Sequence, residues 1–88
     1  MSYTLRIKGS AERAMSRLPK SERRRVDKHI LGLCENPRPV GAIPLKGSGK
    51  GLWRVRVGDW RIVYQIRDTE LVVLVIDVAH RREVYRGL

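Results

Sequence analysis

The sequence predicts an α+β domain in which an N-terminal strand and a helical hairpin pack on a small antiparallel β-sheet, with a short C-terminal helix. Three observations carry that expectation. Apolar residues recur at helical spacing between Ala11 and Leu33, and from Leu52 onward the period changes to two. Between them, residues 38–51 are rich in glycine and proline and read as a loop. With 88 residues the chain is long enough for one domain over 1–88 and too short for two. Its 42% apolar content includes long Val/Ile/Leu runs, which excludes a disordered tail.

Tyr3–Ile7 alternates weakly and reads as a short opening strand. Ser10 is a suitable N-cap, after which Ala11, Ala14, Met15 and Leu18 fall on one helical stripe. Pro19 stops that helix. Ser21 would cap a second helix whose apolar line is Val26, Ile30 and Leu33, with Arg23, Arg24, Arg25 and Lys28 mostly outward. Asn36-Pro37 ends it, and the short link between the helices implies a hairpin. The piece Gly47-Ser48-Gly49-Lys50-Gly51 invites comparison with a phosphate-binding loop. It lacks the required spacing and precedes a strand rather than a helix, so it reads as a connector.

Leu52–Val57, Trp60–Ile66 and Leu71–Val78 then read as three antiparallel strands, joined by Gly58-Asp59 and by Arg67–Glu70. Leu71–Ile76 is apolar on both faces, which suits a central strand. Arg81–Leu88 would add a turn of helix. If Gly58-Asp59 is a two-residue turn, Val57 pairs with Trp60, Arg56 with Arg61 and Arg54 with Val63. Trp53, Val55, Val57, Trp60, Ile62 and Tyr64 then share an apolar face that must meet the helices, and Arg54, Arg56 and Arg61 share the other. Like charges directly opposite across strands are destabilising by up to ~1 kcal/mol. A bound anion would relieve that repulsion, and a phosphodiester fits guanidinium geometry; the alternative is a solvated face whose arginines splay apart.

Charge points the same way. The chain has 19 Lys+Arg against 9 Asp+Glu, a formal net charge of +10. Such a field attracts polyanions, chiefly nucleic acid or an acidic protein partner. His80-Arg81-Arg82-Glu83-Val84-Tyr85-Arg86 returns beside the end of the hairpin holding Arg56 and Arg61, adding cations, an imidazole and a phenol. His80 is either a general acid or base, since its ordinary pKa lies near neutrality, or a surface histidine without a role. Cys34 is the only cysteine, which excludes an internal disulfide and points to a reducing compartment. One cysteine and two separated histidines make a poor metal set, and no stretch is apolar enough to span a membrane. A cytoplasmic protein without metal or cofactor is expected.

Pro37-Arg38-Pro39, Leu45-Lys46-Gly47, Trp53–Tyr64 and His80–Tyr85, with the upstream hairpin and strand order, resemble the RelE/ParE toxin superfamily over nearly the whole chain. The resemblance to RelE implies a ribosome-dependent endoribonuclease that cleaves mRNA without metal, by attack of the 2′-hydroxyl on the adjacent phosphorus. It also implies a cognate acidic, RelB-like antitoxin that inactivates the toxin and carries it to operator DNA. By the same resemblance Arg54 and Arg56 match two basic residues of the first hairpin strand. Arg61 matches the arginine that holds the scissile phosphate. Arg81 matches a basic residue near the leaving oxygen, and Tyr85 the stacking and orienting tyrosine. The catalytic set expected is thus Arg56, Arg61, Arg81 and Tyr85, with Lys46, Arg54, His80 and Arg82 contacting nucleic acid. The family often has lysine at the two strand positions, one of them a proposed base. Arginine stays protonated and is a poor base, which leaves His80 and Tyr85 as candidates. The same fold also serves ParE-like inhibitors of DNA gyrase, a binding function without RNA chemistry.

Overall fold

In the computed structural model, which describes residues 2–47 and 51–80, two helices lie against a five-stranded sheet. The elements are β1 (Thr4–Ile7), α1 (Gly9–Ser16), α2 (Lys20–Glu35), β2 (Ile43–Pro44), β3 (Leu52–Val57), β4 (Trp60–Arg67) and β5 (Val72–His80). The sheet order is β1-β5-β4-β3-β2. β2–β3, β3–β4 and β4–β5 pair antiparallel, as the alternation predicts. β1 instead runs parallel to β5, with Thr4 opposite Val72 and Ile7 opposite Val75, so the sheet is mixed rather than antiparallel. The helical hairpin and the three intervening strands form the crossover that a parallel pair requires. β5, flanked by β1 and β4, is interior, as its two apolar faces require.

The helical stripes are buried where the spacing puts them. Ala11, Met15 and Leu18 from the first helix region, with Val26, Ile30 and Leu33 from α2, pack on Val55, Val57, Ile62, Tyr64, Val73, Val75 and Val78 of the sheet. The helix starts differ from the expected caps. Lys8 occupies the N-cap position of α1 and Pro19 that of α2, and neither helix has a side-chain cap bond. The Lys8 N–H is spent on the Val75 carbonyl at the end of β1, so the chain turns into helix before Ser10 is reached. Ser10 donates to the Ile76 carbonyl instead, at 3.4 Å. Pro19, with φ −54°, still separates the helices, now as the residue that sets α2 on its way.

The hairpin register is the predicted one throughout: Val57 faces Trp60, Arg56 faces Arg61 and Arg54 faces Val63. Of the two turn residues only Gly58 has positive φ, +59°, which is the type II′ pattern suited to a right-twisted hairpin. Between Val63 and Tyr64 the β4–β5 register slips by one, leaving Ile76 as an extra residue on β5. The loop read over 38–51 contains the two-residue strand β2, and the expected C-terminal helix falls outside the described residues.

Candidate nucleic-acid interface

Alternation along β3 and β4 sends Arg54, Arg56 and Arg61 away from the helices, and they converge on a concavity of about 270 Å3 that Gly41 and Ile43 complete. The depression has a simple origin. Reading across the sheet, the Arg56–Arg61 row continues to Ala79 on β5. On the other side, continuing the β2–β3 register by two residues brings Gly41 level with Arg56. Small residues thus flank the arginine pair at both ends. A Cβ added at Gly41 would meet nothing within 4 Å, so the rim beside Arg56 is open. Arg56 is exposed while Arg54 and Arg61 are half-buried, and the Arg61 Nε and Nη1 atoms are shielded from water. Shielding strengthens the attraction of such donors for an anion.

A strut holds the segment that enters this site. The Tyr64 hydroxyl, wholly buried, donates to the Pro37 carbonyl at 2.8 Å. Next to it, the Arg38 guanidinium makes two hydrogen bonds to Asp68, at 3.3 and 2.8 Å, and lies over the Trp53 ring, 5.4 Å from its centroid. The Tyr3 hydroxyl donates to the same carboxylate at 2.7 Å. The hydrogen bonds from Arg38, then Tyr3, lower the Asp68 pKa, and the Asp68 bond raises that of the Tyr3 phenol. Burial pushes the Tyr64 phenol up to about 12 and raises the Cys34 thiol, which keeps both neutral near physiological pH.

Other expected site residues are placed elsewhere. His80 is directly opposite Trp60, and the rings meet edge to face at 5.5 Å. Trp60 packs on the core and donates its indole N–H to Glu22 of α2 at 3.0 Å. His80 therefore lies on the helix-facing side, opposite the arginines, because the register slip at Ile76 fixes which β5 residues face outward. Lys46 is exposed in the turn after β2, near the start of β3 rather than beside Arg56. Arg81, Arg82 and Tyr85 lie outside the described residues. Arg25, expected to point outward, reaches back so that its guanidinium nitrogens lie 3.4 Å from where a Cβ at Gly58 would be.

Gly41 and Ile43 are the lining residues that sequence reasoning missed. A two-residue strand is too short to display a period, although Gly41 next to Val40 and Ile43 next to Pro44 hint at a turn and an edge. The residues lining the concavity are three arginines, a glycine and an isoleucine, and among the described residues no group of three or more His, Cys, Asp or Glu is placed to hold a metal ion. Three guanidiniums converging on one concavity have the donors to bind a phosphodiester and to stabilise extra negative charge on it.

Comparison with known proteins identifies the family. Residues 5–85 match the family model described as the ParE toxin of the type II toxin–antitoxin system parDE. The toxin RelG of Mycobacterium tuberculosis is 33% identical over 87 residues, covering 98% of this chain and 99% of that protein. The toxin RelE of the same organism is 35% identical over 85 residues, covering 96% and 87%. A chain of the M. tuberculosis toxin–antitoxin complex RelBE2 superposes with a TM-score of 0.82 at 28% identity, covering 92% of this chain and all of that one. Sequence and fold agree: the chain belongs to the RelE/ParE superfamily of type II toxin–antitoxin toxins.

Proposed function

We propose that this toxin is a metal-free endoribonuclease that cuts mRNA on the ribosome. The observation that carries the reading is the convergence of Arg54, Arg56 and Arg61 on one concavity, with Arg56 set against Arg61 at a cost that a bound phosphate offsets. In the step itself the substrate's 2′-hydroxyl attacks the adjacent phosphorus and loses its proton. The bond to the 5′-oxygen breaks, and that oxygen leaves as a protonated hydroxyl. The products are a 2′,3′-cyclic phosphate and a 5′-hydroxyl end. Arg61 holds the scissile phosphate, and Arg56 shares the charge that builds on its equatorial oxygens. By the family pattern Arg81 serves the leaving oxygen and Tyr85 stacks on a base. Lys46, Arg54, His80 and Arg82 are assigned to RNA outside the reacting group. His80, turned onto the helix side against Trp60, is not set to act at the scissile bond.

Because arginine is a poor base, the rate rests on orienting the 2′-hydroxyl and on charge stabilisation. The ribosome supplies the orientation. Free RNA should therefore be cut very little, and robust metal-free cleavage of naked RNA at low enzyme concentration would contradict this. A RelB-like antitoxin is the expected inhibitor, binding operator DNA on behalf of the pair.

The matched family model is that of ParE, which favours a second reading, a gyrase inhibitor without nuclease activity. Single-turnover cleavage of mRNA on programmed ribosomes at saturating toxin separates the two. Arg61→Ala should slow the step on the order of 10²-fold, as loss of one preorganised donor does. Ribosome binding should weaken much less, since the rest of the +10 surface still engages RNA. Arg24→Ala, on an exposed position of α2, is the control. Wild-type cleavage by bound Arg61→Ala, or no cleavage by the wild type, turns the assignment toward ParE.

A further inference from the structure

Among the described residues three large apolar side chains stand exposed, Leu31, Val40 and Ile43, and one of them, Ile43, lines the arginine concavity. Ile43 is 46% exposed, lines the concavity and is cross-strand partner to Arg54, which puts its side chain on the arginine face. Val40, fully exposed, precedes Gly41 of the lining in the chain. Nothing in the core needs Ile43 there. A phosphate on Arg56 and Arg61 would have a methyl-rich wall on the diagonal, since Ile43 faces Arg54 and lies two residues along from Arg56, about 7–8 Å away. That is the spacing from a nucleotide's phosphate to its own or a neighbouring base.

We infer that Ile43 is the floor of a nucleobase subsite contiguous with the arginine site, so that the ligand recognised is a nucleoside phosphate and not a phosphate alone. The inference rests on the phosphate-binding reading above and deepens it. The edge itself argues against a protein strand as the occupant. The Leu45 N–H points inward to the Leu52 carbonyl, so alternation turns position 44 outward, and Pro44 has no N–H to offer an added strand. An aliphatic floor also has no hydrogen-bond pattern, so it accepts any base through its flat face and prefers purines by area. Preference among codons is then set elsewhere, and preference for purine over pyrimidine here.

The test uses small ligands whose register is unambiguous, titrated into the free full-length chain and followed by NMR: ribose 5-phosphate, and adenosine 5′- and 3′-monophosphate. The wild type should bind at least one adenosine monophosphate on the order of fivefold more tightly than ribose 5-phosphate, the effect of removing ~40 Å2 of apolar surface from water. Ile43→Ser should abolish that preference and leave ribose 5-phosphate binding unchanged, while Ile43→Leu keeps the preference. Ile43→Thr retains β-branching and decides the matter should Ile43→Ser fail to fold. The double variant Arg56→Gln, Arg61→Gln should weaken all three ligands. If nucleotide and sugar phosphate bind the wild type equally, and both through the arginines, the base subsite is wrong and the phosphate site stands, leaving the apolar rim to a protein partner. If binding ignores the arginines, both fall together.

Discussion

Tyr64 does at the scale of one residue what the site requires of the loop. Its ring is fully buried in the core, and its hydroxyl donates to the Pro37 carbonyl, two residues from the turn that leads to Gly41. Tyr64→Phe keeps the ring and leaves a carbonyl without that donor, which should cost about 1 kcal/mol in denaturant unfolding. The pH dependence has a definite sign. The folded phenol titrates at about 12 and the unfolded one near 10.0, so the unfolded chain releases a proton that the folded chain keeps. Stability from this group is complete below pH 10 and lost as pH rises from 10 toward 12. The wild type should show that extra alkaline loss and Tyr64→Phe should not; identical slopes would place the loss elsewhere. Asp68 has the opposite sense. Its folded pKa is lowered by Arg38 and then Tyr3, so the strut is complete above the ordinary carboxylate range and loosens as acid protonates it. Both partners are substantially exposed, and screening keeps that contribution small.

The β3–β4 hairpin is the element that made the site readable. A two-residue turn ties the register to the sequence, and a period of two then assigns every side chain to a face, which is why the Arg56–Arg61 pair and the buried Trp/Val/Ile/Tyr face follow from residues alone. The turn depends on Gly58. Alanine there would have to adopt φ near +59°, a conformation that an L side chain rarely takes, although its Cβ would meet the Arg25 guanidinium only at contact distance, 3.4 Å. Gly58→Ala should therefore destabilise the fold by about 1–2 kcal/mol in chemical denaturation, while Gly32→Ala, with open space around it inside a helix, should be neutral or stabilising. Equal stabilities for the two variants would mean that the turn does not set the register. What sequence reading lost are pairings whose partners lie far off and elements whose length hides a period. β1 is legible as an opening strand, but its parallel pairing with a strand nearly seventy positions away is not, and β2 has only two residues. One extra residue at Ile76 turns His80 to the helix side, since a slip of one inverts every side chain beyond it. No pattern in an apolar strand announces such a bulge.

At the scale of the molecule, charge decides what this toxin must meet. A net +10 on 88 residues is a self-repelling surface, and Arg56 against Arg61 concentrates that repulsion in the site. A partner that inhibits by covering the site must bring carboxylates to it, and apolar residues to lie on Val40 and Ile43. An acidic, amphipathic antitoxin segment has both, and its charge also relieves strain that the free toxin carries. Binding the folded chain alone raises its stability by mass action, by ~4 kcal/mol with the partner a thousandfold above its Kd. For a domain of this size that moves the melting temperature on the order of 15–30 °C. The complex should melt that far above the free toxin at low salt, and the gap should narrow as salt screens the exposed charges, because the electrostatic share is lost and the apolar share is not. Differential scanning calorimetry of toxin and complex across a salt series reads both effects. Equal melting temperatures would rule out tight neutralisation, and a gap indifferent to salt would mean that the partner holds the toxin through its apolar surface, leaving the arginine face uncovered.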